Sequence, residues 1–151
     1  MAHTTSELQV ITKAKNLLDY VMTITRKSPK EFRFSLIGRM QGYVLDVVEN
    51  LYYANDIYVT PGIRSGWAQR QAHQRKAMST LKLLIYVAEV SMQQGAIQPK
   101  QFEQISKLTF ETENLLGAWL NSDLRRLSGG KAKQEQEKGS SPEEGVIRVR
   151  D

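Results

Sequence analysis

Apolar residues recur in steps of three and four along four stretches of the chain, with breakers between them. In the first, Leu8, Ile11, Lys15, Leu18, Met22 and Thr25 trace one helical face, widened by Leu17, Val21 and Ile24. Ser28-Pro29 ends it, because proline pushes the preceding residue out of the helical region. The second reads Ile37, Met40, Val44, Val47, Leu51, Ala54 and Tyr58, with Ser35 as the expected N-cap and Thr60-Pro61-Gly62 as the stop. The third covers residues 65–94, with Met78, Leu81, Ile85, Ala88 and Met92 as its core stripe and Gly95 closing it. The fourth starts near Pro99, a suitable first position since proline has no N–H to leave unpaired. Along it Phe102, Ile105, Leu108, Thr112, Leu115 and Trp119 line one face, with Leu116 and Leu120 beside them.

No stretch alternates with period two, so no sheet is expected. Long helices joined by short loops pack as antiparallel neighbours. The expected fold is therefore all-α, an antiparallel up-down-up-down four-helix bundle over residues 1–127 with a flexible C-terminal tail over 128–151. Within that tail, residues 128–145 have little apolar surface to bury and read as a linker. Val146-Ile147-Arg148-Val149-Arg150-Asp151 reads as a frayed terminus before it reads as a strand for a partner's sheet edge.

At 151 residues the chain suits one domain. It has no cysteine, which excludes disulfides, thiolate nucleophiles and cysteine-ligated zinc. The longest apolar run, Leu83 to Ala88, is far short of the roughly 20 residues that span a bilayer, and residues 1–9 lack a signal-peptide layout. No membrane association and a cytoplasmic location are expected.

Charge changes this picture. The net charge is +5, and it lies in the bundle: residues 1–127 hold 16 Lys/Arg against 11 Asp/Glu, whereas 128–151 hold five of each. Between Asp56 and Glu89 the chain carries Arg64, Arg70, Arg75, Lys76 and Lys82, with His73, and no acidic residue. Arg64, Arg75 and Lys82 are 11 and 7 residues apart, which at about 100° per residue returns them to one stripe beside the core face. Arg70 and Lys76 point elsewhere. Such a display suits phosphate contact, and equally a solvated or intersubunit face. A second basic set, Arg33 and Arg39, interleaves with Phe32 and Phe34. The aromatics are expected to plug the bundle end; the arginines either cap it or bind phosphate.

Catalytic constellations are missing. His3 and His73 are isolated, and Asp46, Glu49, Asp56, Glu111 and Glu113 form no Glu-x-x-His pattern. No phosphate loop or serine elbow occurs. No catalytic residue, metal or cofactor is expected. Trp67 and Trp119 read as packing residues, and Gly117 as a place where another helix crosses close to the backbone.

Three stretches in order carry a resemblance: Pro29-Lys30-Glu31-Phe32-Arg33-Phe34-Ser35-Leu36-Ile37-Gly38-Arg39-Met40-Gln41, the long basic third helix, and Leu115-Leu116-Gly117-Ala118-Trp119-Leu120-Asn121-Ser122 preceded by Gln101-Phe102-Glu103. Over residues 8–122 the chain resembles the four-helix-bundle family of the accessory variability determinant (Avd) of diversity-generating retroelements. Its other branch is encoded in intervening sequences of 23S ribosomal RNA genes. Gly117-Ala118-Trp119 stands where Gly-Gly-Trp is usual, Gln98-Pro99 where a serine-type cap is common, and Gly42 where a larger polar residue is usual. The resemblance implies a homopentamer with a basic surface that binds a reverse transcriptase and template RNA or cDNA without chemistry of its own. The other branch implies a structural or protein-interaction bundle.

Overall fold

In the computed structural model the backbone is described for residues 2–60, 62 and 64–138, and side chains for 9–60, 62 and 64–128. Four α-helices, α1 (Ala2–Thr25), α2 (Gly38–Asp56), α3 (Arg64–Gln93) and α4 (Pro99–Lys138), form an all-α bundle with no strand among the described residues. Each helix packs on two others in a closed ring, α1 on α2 and α4, α3 on α2 and α4.

The core is one cluster in which Leu17, Met40, Leu51, Leu81, Leu84, Ile105, Leu116 and Trp119 are almost fully enclosed. On α2 the expected stripe is buried from Ile37 to Ala54, whereas on α1 and α3 the expectation was correct in element and off in phase. On α1 the buried line is Val10, Ala14, Leu17, Val21 and Thr25, while Lys15 is exposed and Leu18 and Met22 are half-buried. A lysine at the centre of the apolar arc would have to lose its hydration, so the helix turns it outward. On α3 the buried line is Trp67, Arg70, Gln74, Ala77, Leu81, Leu84, Ala88 and Ser91, and Met78, Ile85 and Met92 are only half-buried. Small residues at Ala77 and Ala88 let adjacent helices come close, and bulk moves to the flank.

The junctions depart further. α2 ends at Asp56, not at the Thr60-Pro61-Gly62 stop, and Tyr58 is 84% exposed, outside the core stripe. Ser35 is not an N-cap: it lies in a π turn, Arg33–Ile37, that follows a 3-10 turn, Lys30–Phe32, and its hydroxyl donates to Phe32 O at 3.4 Å. The turn runs straight into α2, where the Gly38 N–H is taken by Arg33 O and Ser35 O. A Cβ at Gly38 would sit 3.0 Å from Arg33 O, so glycine lets this wide turn close.

α3 ends in a Schellman motif, with Ala96 N–H on Ser91 O at 2.7 Å, Gly95 N–H on Met92 O at 3.1 Å, and Gly95 at φ 83°. Pro99 opens α4 as expected, and the Gln101 side chain caps the entry by accepting from Gln98 N–H at 2.8 Å. Lys13 Nζ and Glu111 Oε2, 2.7 Å apart, tie α1 to α4 and hold the Glu111 carboxyl below its ordinary range.

Two expectations fail on α4. Helical backbone continues from residue 128 through Gly129-Gly130 to Lys138, where a linker was expected; the following Lys-Ala-Lys-Gln-Glu-Gln-Glu-Lys run is composed of good helix formers. Residues 139–151, including the β-branched terminal segment, lie outside the described residues. At Gly117 no neighbouring helix approaches, since an added Cβ would meet nothing within 4 Å.

The two glycines therefore predict opposite outcomes. Gly117→Ala should stabilise the protein by up to about 1 kcal/mol, and Gly95→Ala should destabilise it by about 1–2 kcal/mol. Urea unfolding of both variants checks this, with a shift of the midpoint in opposite directions.

Candidate nucleic-acid interface

Of the five α3 cations, Arg64, Arg75, Lys76 and Lys82 are exposed. Arg70 is not: it is 4% exposed, and its guanidinium lies inside the bundle against Asp123 of α4. This corrects its placement among the surface-binding residues. The cause is its position on the buried line, four residues before Gln74 and seven before Ala77, so an outward Arg70 would require rotating the whole core face away.

Asp123 organises this end of the bundle. Its Oδ2 stands 3.0 Å from Arg70 Nε and accepts from Gln74 Nε2 at 3.0 Å; its Oδ1 accepts from Arg70 Nη2 and Arg126 Nη1, each at 3.3 Å. Two tryptophans cover the cluster. The Arg70 guanidinium is 4.7 Å from the Trp119 ring centre, and that of Arg126 is 5.0 Å from Trp67. Trp67 Nε1 donates to Thr60 O at 3.0 Å, which pins the loop before α3 and confirms both tryptophans as packing residues. The sequence reading missed Asp123, although a signal existed: Thr112, Leu116, Trp119 and Asp123 continue one stripe in steps of four, three and four. A charge on a core stripe announces a buried partner.

The exposed cations sort into two regions. On α3, Arg64 lines a cleft of about 220 Å³ with Trp67, Gln71, Asp123, Leu124 and Leu127. Farther along the same stripe, Lys82 acts on Glu113 of α4. Burial pushes that carboxyl up from its ordinary range, and the Lys82 charge opposes the rise. Arg64 and Lys82 thus place the two ends of the Arg64–Arg75–Lys82 stripe on the side of α3 that meets α4. The acid-free helix does not make an acid-free surface, because α4 supplies Glu113. Lys76 stands apart, three residues after His73, which meets Asn50 of α2.

At the α1–α2 junction a second cleft, about 290 Å³, is lined by Arg26, Lys30 and Arg33 with Thr25, Ser28 and Gln41. Arg39 is exposed and sits 5.9 Å from the Tyr43 ring centre, outside this lining. Arg26 and Lys30 were not singled out from sequence, since they become neighbours of Arg33 only once the two turns fold back. The aromatics divide: Phe32 is half-buried against the core, whereas Phe34 is 94% exposed and plugs nothing. The π turn rotates Phe34 out of phase with α2, so an expectation based on regular helical phase fails there.

His73 is tied to the fold. Its Nδ1 donates to Asn50 Oδ1 at 3.0 Å, because the Asn50 amide group already donates to Asp46 O. Among the described residues no three His, Cys, Asp or Glu side chains cluster as metal ligands, and no helix is long and apolar enough to cross a membrane. No protein-family model matches the chain, and no curated protein matches it. The fold and surface define its class: an all-α four-helix bundle bearing two exposed basic regions.

Removing the Asp123 carboxylate would strand the Arg70 charge in the interior. Asp123→Ala should cost about 3–5 kcal/mol, whereas Arg125→Ala, an exposed cation two residues on, should change stability by about 0.5 kcal/mol or less. Thermal and urea unfolding measure both.

Proposed function

We propose that this chain is a non-catalytic accessory protein of a diversity-generating retroelement, acting in the cytoplasm. It binds the reverse transcriptase and template RNA or cDNA through its basic surface and so supports mutagenic reverse transcription. The observation that carries this reading is the exposure of Arg64, Arg75, Lys76 and Lys82 on a helix locked into a bundle, together with Arg33 and Arg39 at the junction. Rigid cations bind a phosphate backbone without the ordering cost a disordered arm would incur. Assembly as a homo-oligomer, a pentamer as the family resemblance implies, would repeat the cations around a ring and multiply the contact.

A second reading has its own support. Leu45, Tyr52, Leu83, Tyr86 and Phe110 are exposed. Apolar residues in this number suit a protein-interaction bundle of the intervening-sequence type, with incidental RNA binding.

The two readings separate in the double variant Arg75→Glu, Lys82→Glu. Under the first, template RNA binding is weakened while helical content and oligomer size persist. The milder Arg75→Gln, Lys82→Gln pair lowers the salt dependence of log affinity by about 0.7 per lost contact on a single strand. Unchanged RNA affinity in a folded charge-reversed variant would remove this stripe from the interface.

A further inference from the structure

The α1–α2 junction is a second cation-rich stretch of the bundle. Between Asp19 and Asp46 the chain holds Arg26, Lys27, Lys30, Arg33 and Arg39 against a single acid, Glu31. Three of those cations come from three consecutive pieces of chain, the turn just after α1, the 3-10 turn and the π turn, and they line one cleft. Among the described residues no carboxylate lines it.

The cleft wall is fixed. Gln41 Nε2 donates to Thr25 Oγ1 at 2.9 Å, and that hydroxyl donates to Val21 O at 2.7 Å, so α2 is tied to α1 behind the cations. Gln41 keeps its amide oxygen for a donor. Next along the chain from Arg33, Phe34 projects a ring that is 94% exposed. Regular α-helix from residue 33 would carry this ring at a different angle, and the extra residue of the π turn sets its direction.

Cations in a preformed cleft, with a bare aromatic ring on the residue that follows Arg33, are the two components of single-strand recognition. The cations track the phosphates, and the ring stacks on a base whatever its identity. We propose that this junction is a binding site for single-stranded RNA or cDNA, with Arg26, Lys30 and Arg33 on successive backbone phosphates and Phe34 stacked on an adjacent base. This rests on the reading of the chain as a nucleic-acid binder and assigns the single strand to the junction, separate from the α3 stripe. A duplex is excluded as the ligand of the ring, because its bases are already stacked. A second copy of this chain meeting it about a two-fold axis is a poorer occupant, since its own junction would bring the same cations to the contact.

The test is fluorescence anisotropy of a labelled octauridylate with the full chain. Four proteins are compared: wild type, Phe34→Ala, Lys30→Gln with Arg33→Gln, and Arg75→Glu with Lys82→Glu. All these positions are exposed, and circular dichroism confirms that each variant folds. Phe34→Ala should weaken binding roughly 5-fold or more with an unchanged salt slope. The Lys30/Arg33 variant should lose about 1.4 from the salt slope. The α3 variant should retain octauridylate binding that is still sensitive to Phe34→Ala.

Wild-type affinity in both junction variants would overturn the proposal. So would inorganic phosphate competing as well as the oligonucleotide with Phe34→Ala neutral, which describes a simple anion site. A changed oligomer size in Phe34→Ala at constant affinity would also overturn it, by making the ring a subunit contact. If the junction variants behave as expected but no reverse transcriptase binds the protein, the single-strand site stands and the retroelement reading fails.

Discussion

A single buried carboxylate sets what α3 can offer to a partner. Asp123 collects Arg70, Gln74 and Arg126 at one end of the bundle, and three of the four groups belong to side chains that must align across α3 and α4. The register is over-determined: sliding α3 by one residue would carry both Arg70 and Gln74 away from the carboxylate, leaving charges without partners in the interior. With this rotation fixed, Arg64 and Lys82 fall on the side of α3 that meets α4 and Arg70 cannot join them. One cation is consumed as structure so that the others have a defined place.

The opposite end is held by different means. The α1–α2 connection keeps its backbone paired through a 3-10 turn and a π turn, with no side-chain cap, and Gln41 and Thr25 clasp the two helices. A wide turn aims side chains in directions that neither α1 nor α2 could supply. The bundle therefore displays two cationic regions of different character, a straight stripe on a helix and a compact cleft at a corner. A long polyanion can engage the first through regularly spaced charges, and a bent single strand suits the second.

Much of this was legible in the sequence. Four periodic stretches, the Gly95 stop and the Pro99 start give the four-helix bundle directly, because each signal is local. The errors of phase on α1 and α3 share a cause: they turn on which of two adjacent stripes faces inward. Met78 and Met92 are bulkier than Ala77 and Ser91, yet the smaller pair is central, since close helix approach decides and hydrophobicity alone does not register it. Arg70 followed the same logic. Its charge suggested surface, while its place three and four residues from buried neighbours put it inside. Phe34, Arg26 and Lys30 were illegible for another reason, because the π turn that groups and aims them follows no standard period.

The functional reading depends on which molecules meet the basic surface. The most direct measurement is affinity purification of the tagged protein from its native host, with mass spectrometry of bound proteins and sequencing of bound RNA. A reverse transcriptase in stoichiometric amount together with one enriched transcript is the expected result. Ribosomal RNA or no specific transcript, with no reverse transcriptase, would contradict it and leave a structural bundle whose cations serve solvent and subunit contacts.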